Sequence, residues 1–99
     1  MATIGTFTEN DNGSFTGIVE TLTLKVKTVI RPVDKDSDKA PDYRLQSPAI
    51  EFGAAWKKTS REGRDYLSVK LDDPSLSAPI YATLVETDKP GQHNLIWSR

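Results

Sequence analysis

The feature that most constrains this chain is a series of short runs rich in Thr, Val, Ile, Tyr and Phe, separated by Gly, Pro, Asn and Asp. No run keeps the 3.6-residue period of an amphipathic helix, whereas several alternate apolar and polar residues, as half-buried strands do. The pattern predicts an all-β fold of seven or eight antiparallel strands connected mainly by hairpins. At most one short helical turn is expected, near Asp73.

Length and composition indicate one small domain. A chain of 99 residues with 36% hydrophobic and 27% charged residues can bury a single modest core. We predict one domain, 1–99, that forms a β-barrel or a β-sandwich, with a flexible charged loop at about 34–41. The absence of cysteine excludes disulfides and favours a reducing cytoplasm. No apolar run approaches the roughly 18 residues of a membrane span, so no membrane association is expected.

Turn residues predict where the strands reverse. Asn12-Gly13 favours a tight hairpin, 59–64 a second hairpin loop, and Pro90-Gly91 a further turn. After the first turn we expect one long strand that returns as far as Val26. Its predicted inward residues share one parity: Ile18, Leu22, Leu24 and Val26.

The hairpin around 59–64 has a register that its apolar residues predict. One parity before the loop contains Ile50, Phe52, Ala54 and Trp56, and one parity after it contains Leu67, Val69 and Leu71. Both sets face the core only if Trp56 lies opposite Leu67, because a slip of one residue turns one set outward. This register predicts that Lys57 lies opposite Tyr66 on the outer face.

Charge is unevenly distributed, although the net charge is only −1. Residues 25–70 contain eleven Lys and Arg against seven Asp and Glu. Cations beside an aromatic ring on a strand face are what single-stranded nucleic-acid binders use. The candidate nucleic-acid-binding residues are Lys57, Lys58, Arg61, Arg64, Tyr66 and Lys70, supplemented by Tyr43 and Arg44. A solvated sheet face also carries lysines, so a purely structural role stays open.

The remaining polar residues predict no catalytic site, no metal site and no cofactor. His93 is the only histidine, and it follows Pro90-Gly91, so we expect it on the surface in a turn. Asp72-Asp73 favours turn capping over cation binding. The sequence contains no G-x-S-x-G nucleophile motif and no Gly-rich phosphate-binding motif. The chain is therefore predicted not to be an enzyme.

Several segments resemble a known bacterial family. They are IGTFTENDNGSFTGIVETLTL near the start, PDYR at 41–44, GAAWKKTSREGRDYLSVKLDDPSLSAPIYATLVE from Gly53, and the terminal IWSR. Together they resemble the family known as domain of unknown function 736 (DUF736) over nearly the whole chain. The resemblance implies a bacterial protein that is often encoded on plasmids and integrating elements near conjugation genes. It implies no activity and assigns no catalytic residue.

Two functions are compatible with these observations. The first is a non-enzymatic accessory protein that binds single-stranded DNA or RNA through the basic hairpin. The second is a protein-interaction or inhibitor module that offers a sheet edge or an apolar patch to a partner or to another copy, and the near-zero net charge favours it. Salt separates the two, because phosphate binding weakens steeply as ionic strength rises and an apolar interface hardly responds.

Overall fold

The computed structural model describes residues 2–22, 25–34, 37–48, 50–74 and 76–97. Within them, eight antiparallel strands follow one another around a closed barrel in which the last strand pairs with the first. The strands are β1 (Ala2–Glu9), β2 (Phe15–Glu20), β3 (Lys25–Pro32), β4 (Tyr43–Gln46), β5 (Glu51–Thr59), β6 (Asp65–Leu71), β7 (Ile80–Glu86) and β8 (Gln92–Trp97). The predicted all-β fold is confirmed, and it is a barrel.

The described residues contain no helix. Near Asp73, where one helical turn was allowed, the carbonyl of Asp73 accepts a hydrogen bond from the N–H of Leu76 at 2.9 Å and closes a simple turn, with Ser75 outside the described residues. No helix long and apolar enough to cross a membrane occurs in the described parts of the chain.

Tight turns join three of the strand pairs at one end of the barrel, which we call the hairpin end. Gly13, Gly63 and Gly91 occupy these turns with φ of 87°, 83° and 82°. Glycine adopts a positive φ without the steric cost that a Cβ brings. The predicted turns at Asn12-Gly13, 59–64 and Pro90-Gly91 are confirmed. The connection between β3 and β4 lies at the same end, and Lys35 and Asp36 of its predicted flexible loop are outside the described residues.

Inward-facing apolar side chains fill most of the barrel. One row of paired residues crosses six strands and contains Leu67, Leu84, Leu95, Gly5, Val19 and Val26. Leu84, Leu95 and Val19 are at most 1% exposed, and Ile30 and Leu45 are fully buried in a neighbouring row. Burial of such a side chain contributes about 1.5 to 3 kcal/mol, so these rows supply much of the stabilisation of the fold.

The expected long strand after the first turn is two strands. β2 ends at Glu20 and β3 begins at Lys25, so a reversal of the chain separates the predicted inward residues. Val26 does face the core, but Ile18 is on the outer side and Leu22 is fully exposed, while Leu24 is outside the described residues. The alternation was wrongly continued through the turn, where strand parity no longer applies.

The predicted register of the β5–β6 hairpin is wrong by one residue. Trp56 lies opposite Ser68, and Lys57 lies opposite Leu67 on the inward side. The cause is a β-bulge, because Leu45 of β4 pairs with Gly53 while Gln46 pairs with Glu51, which leaves Phe52 as an extra residue. Phe52 itself faces the core. After the bulge the odd-numbered residues of β5 face inward, so Ala55 is fully buried.

Candidate functional site

Three aromatic side chains share the outward side of β5, β6 and β7: Trp56, Tyr66 and Tyr81. Lys58 lies directly opposite Tyr66, and Lys70 lies opposite Tyr81. Tyr81 is 62% exposed, whereas Tyr66 and Trp56 are half-buried. We call this surface the β5–β7 face. It alternates aromatic rings with cations.

Three small residues and one lysine lie between the aromatic residues of this face: Ala54, Ser68, Thr83 and Lys70. Trp56 lies opposite Ser68, which in turn lies opposite Thr83, and Ala54 lies opposite Lys70. The three rings lie on successive rows of outward residues, and such rows are about 6.7 Å apart along a strand. Tyr81 is the ring that a flat group can reach most readily, because it is the most exposed of the three.

The connection between β3 and β4 holds Trp56 in place. The indole Nε1 of Trp56 donates a hydrogen bond to the carbonyl of Lys39 at 3.2 Å, and the carboxylate of Asp42 accepts one from the N–H of Lys57 at 2.8 Å. These bonds join the loop to β5. Trp56 is therefore positioned by two segments of the chain.

A groove of about 300 Å³ lies beside Trp56 on the same surface and is bordered by Arg44 and Lys70. Both cations have acidic neighbours. Arg44 is 3.4 Å from a carboxylate oxygen of Glu51, and Lys70 is 3.9 Å from one of Asp72. All four side chains are more than a third exposed, so these pairs are screened by water and remain open to exchange with another anion.

The β5–β6 turn carries the other cations of the predicted site. Arg61 and Arg64 are exposed, and Gly63 closes the turn by donating its N–H to the carbonyl of Ser60 at 3.0 Å. Among the described residues, neither arginine forms an ion pair, and Lys58 forms none either. These three positive charges are available to a bound anion.

Two residues of the predicted site lie elsewhere. Lys57 and Tyr43 are on the inward side of the barrel, and the Lys57 ammonium is 5.8 Å from the centre of the Tyr43 ring. They border a cavity of about 490 Å³ that opens at the hairpin end, which we call the mouth cavity. Lys58 and Tyr66 also reach its rim. The other six predicted residues lie on the β5–β7 face, beside it on β4, or in the adjoining turn.

The expectation of a surface histidine in a turn is wrong. His93 is the second residue of β8 and lies opposite Glu86 and Phe7 on the inward side. It is half-buried and meets Phe15 edge to face at 4.9 Å between ring centres. The strand begins immediately after Gly91, so proximity to the turn residues was a misleading signal.

The structure adds Trp56 and Tyr81 to the candidate site. Tyr81 could have been found, because Ala82 and Leu84 alternate with it and predict that it faces outward. Trp56 could not, because the bulge at Phe52 that turns it outward has no mark in the sequence. Among the described residues, no group of three or more His, Cys, Asp or Glu side chains is placed to hold a metal ion.

Comparison with known proteins gives one result. No curated protein and no solved structure matches the chain. A family model does match, under the description "Protein of unknown function (DUF736)", and the match extends over residues 3–99. Since this is nearly the whole chain, the protein belongs to the DUF736 family.

Proposed function

We propose that this protein is a non-enzymatic accessory protein that binds single-stranded DNA or RNA on its β5–β7 face. The observation that carries the proposal is the alternation of three outward aromatic rings with cations on adjacent strands. The family resemblance suggests a bacterial protein associated with mobile genetic elements, and the absence of cysteine favours the cytoplasm as its compartment.

The aromatic residues would supply most of the affinity for bases. A base stacked on an aromatic side chain contributes about 1 to 3 kcal/mol, and the interaction tolerates any sequence because every base has a flat face. Tyr81 is the most accessible of the three rings, Tyr66 lies on the neighbouring strand four residues from Lys70, the residue opposite Tyr81, and Trp56 borders the groove. Bases within a duplex are already stacked on one another, so this surface favours single strands.

The cations would follow the phosphates. Lys58, Arg61 and Arg64 have no acidic partner within 4.0 Å among the described residues, so binding a phosphate there breaks no ion pair. At Lys70 and Arg44 a phosphate has to compete with Asp72 and Glu51. Lys58, Arg61 and Arg64 therefore provide the stronger phosphate contacts. Lys70 and Arg44 provide the weaker ones.

Removal of two hairpin cations tests this proposal. We expect Lys58→Gln/Arg64→Gln to weaken binding of a labelled single-stranded oligonucleotide by about tenfold and to reduce the slope of log affinity against log salt by about 1.4, since each lost phosphate contact removes about 0.7. The measurement is fluorescence anisotropy between about 50 mM and about 200 mM salt, with single-stranded and duplex oligonucleotides of the same sequence.

The matched control is Lys25→Gln/Lys27→Gln. It removes the same charge from β3, where both side chains are exposed and away from the β5–β7 face. An equal loss in both variants would show that only the net charge matters, and a failure to bind any oligonucleotide at low salt would refute the proposal. Circular dichroism of each variant establishes that the barrel has folded.

Exposed apolar residues at the other end of the barrel favour a second candidate function, a protein-interaction or inhibitor module. Leu22 is fully exposed and Ile50 is 55% exposed, and Ile50 borders a small apolar cavity with Val26 and Leu76. Each strand already has a paired neighbour on both sides, so a partner would contact this end rather than a sheet edge. Binding at such an end would change little with salt.

A further inference from the structure

Two arginines lie directly opposite each other on neighbouring strands, and we call them the arginine pair. Arg31 of β3 pairs with Arg44 of β4. Both side chains face outward, because the adjacent residues Ile30 and Leu45 are fully buried in the barrel. Residues opposite each other have Cβ atoms about 4.5 to 5.5 Å apart, and like charges at that separation destabilise a sheet. Natural proteins keep such local conflicts mainly at functional sites.

The two guanidinium groups share a single carboxylate. Nη1 of Arg44 is 3.4 Å from a carboxylate oxygen of Glu51. Nη1 of Arg31 donates to the uncharged side-chain oxygen of Gln46 at 3.3 Å, and Arg31 forms no ion pair within the described ranges. Gln46 lies opposite Glu51, so both guanidinium groups extend toward the same part of the surface. One positive charge of the pair is therefore uncompensated, and it lies on the exposed side chain of Arg31.

A phosphate diester complements the arginine pair. Each planar guanidinium group can donate two parallel hydrogen bonds to phosphate oxygens, which the ammonium group of lysine cannot do. A diester also carries one negative charge, so its binding would neutralise the uncompensated charge and relieve the repulsion across the two strands. The contact to Arg31 displaces no carboxylate, whereas the contact to Arg44 competes with Glu51.

The arginine pair continues the β5–β7 face without interruption. One row of outward residues crosses five neighbouring strands and consists of Arg31, Arg44, Ala54, Lys70 and Tyr81. The small side chain of Ala54 lies at its centre, in the groove of about 300 Å³ that Trp56 also borders. Because neighbouring strands are about 4.8 Å apart, the four steps of the row span about 19 Å at the level of the backbone. A strand of several nucleotides can therefore reach from the β5–β7 face to the arginine pair.

We propose that the arginine pair is a phosphate clamp for the single strand that binds on the β5–β7 face. The strand crosses β5 over the groove at Ala54 and places one phosphate diester between Arg31 and Arg44. This inference rests on the proposed function. It extends the binding surface to β3 and β4, and it assigns a binding role to Arg31, which the basic hairpin does not include.

Arg31→Gln tests the clamp by binding. The probe is an oligothymidylate of about ten nucleotides, within the range of site sizes of small single-strand-binding barrels. We expect the variant to bind it about fivefold more weakly and to lower the slope of log affinity against log salt by about 0.7, the contribution of one phosphate contact. The matched control is Lys27→Gln, which removes the same charge from an exposed position of the same strand and should leave both quantities unchanged.

Urea denaturation distinguishes a phosphate clamp from an arginine with a structural role. If Arg31 is kept for binding, Arg31→Gln removes a like-charge contact, and its urea midpoint should equal or exceed that of Lys27→Gln. If Arg31 instead stabilises the barrel through Gln46, the midpoint should fall below that of the control. A lower midpoint would therefore overturn the inference.

The binding results separate this inference from the proposed function. Failure of the unmodified protein to bind oligothymidylate at low salt would refute the proposed function and the clamp together. Binding by the unmodified protein, with equal affinities for Arg31→Gln and Lys27→Gln, would refute the clamp alone. A loss confined to Arg31→Gln, with its urea midpoint maintained, is the result that the inference predicts.

Discussion

Replacement of Gly17 by valine is expected to prevent folding or to lower the free energy of unfolding by at least about 3 kcal/mol. Gly17 is in the middle of β2, opposite Phe7 of β1. A Cβ at this position would overlap the carbonyl oxygen of Thr6 and lie 2.8 Å from both Cα and a ring carbon of Phe7. Backbone atoms cannot move aside as a flexible side chain can, so β1 and β2 would have to separate.

Urea denaturation followed by circular dichroism measures this effect. The control is Gly13→Asn in the β1–β2 turn, where φ is 87° and nothing lies within 4 Å of an added Cβ. Asparagine tolerates a positive φ better than other residues with a side chain, so a loss below about 1 kcal/mol is expected there. Equal unfolding midpoints for the Gly17→Val variant and the unmodified protein would contradict the close contact between β1 and β2.

Loss of two outward tyrosines is expected to have the largest effect on binding. Tyr66→Ala/Tyr81→Ala should lower the affinity for a single-stranded oligonucleotide by at least about 30-fold, because each stacked base contributes about 1 to 3 kcal/mol. Tyr81 is 62% exposed, so its removal leaves no large cavity. The salt dependence should stay nearly unchanged, since the phosphate contacts remain.

The matched control keeps the rings. Tyr66→Phe/Tyr81→Phe removes only the hydroxyl groups, and its affinity should stay within about threefold of the unmodified protein if stacking is the main interaction. Fluorescence anisotropy at one fixed salt concentration measures both variants. An equal loss in the alanine and the phenylalanine variants would show that the hydroxyls bind, and no loss in either would exclude the two tyrosines from the site.

Local signals in the sequence predicted the three glycine-containing turns, but not the turn between β2 and β3. Gly13, Gly63 and Gly91 marked turns because only glycine adopts their positive φ at little cost. The choice between barrel and sandwich was not predictable, because it depends on the pairing of β8 with β1, which are at opposite ends of the chain. No local pattern reports that pairing.

The candidate site was predicted in part. Lys58, Arg61, Arg64, Tyr66 and Lys70 lie on or beside the β5–β7 face, as the basic hairpin suggested. Lys57 lies on the inward side of the barrel with Tyr43, and Trp56 lies on the outward side, the reverse of what was predicted for Lys57 and Trp56. The reason is that an apolar residue, Phe52, is the extra residue of a bulge. Residues on both sides of a bulge continue the apolar alternation in the sequence, so counting parity cannot reveal it.

The central claim is that single-stranded nucleic acid binds across the outward side of β5, β6 and β7. Chemical-shift mapping with isotopically labelled protein and a short oligothymidylate tests it most directly. The expected result is a set of saturable amide shifts concentrated at 54–58, 61–70 and 80–83. Shifts confined to the opposite end, around Leu22 and Ile50, or no shifts at low salt, would contradict the claim.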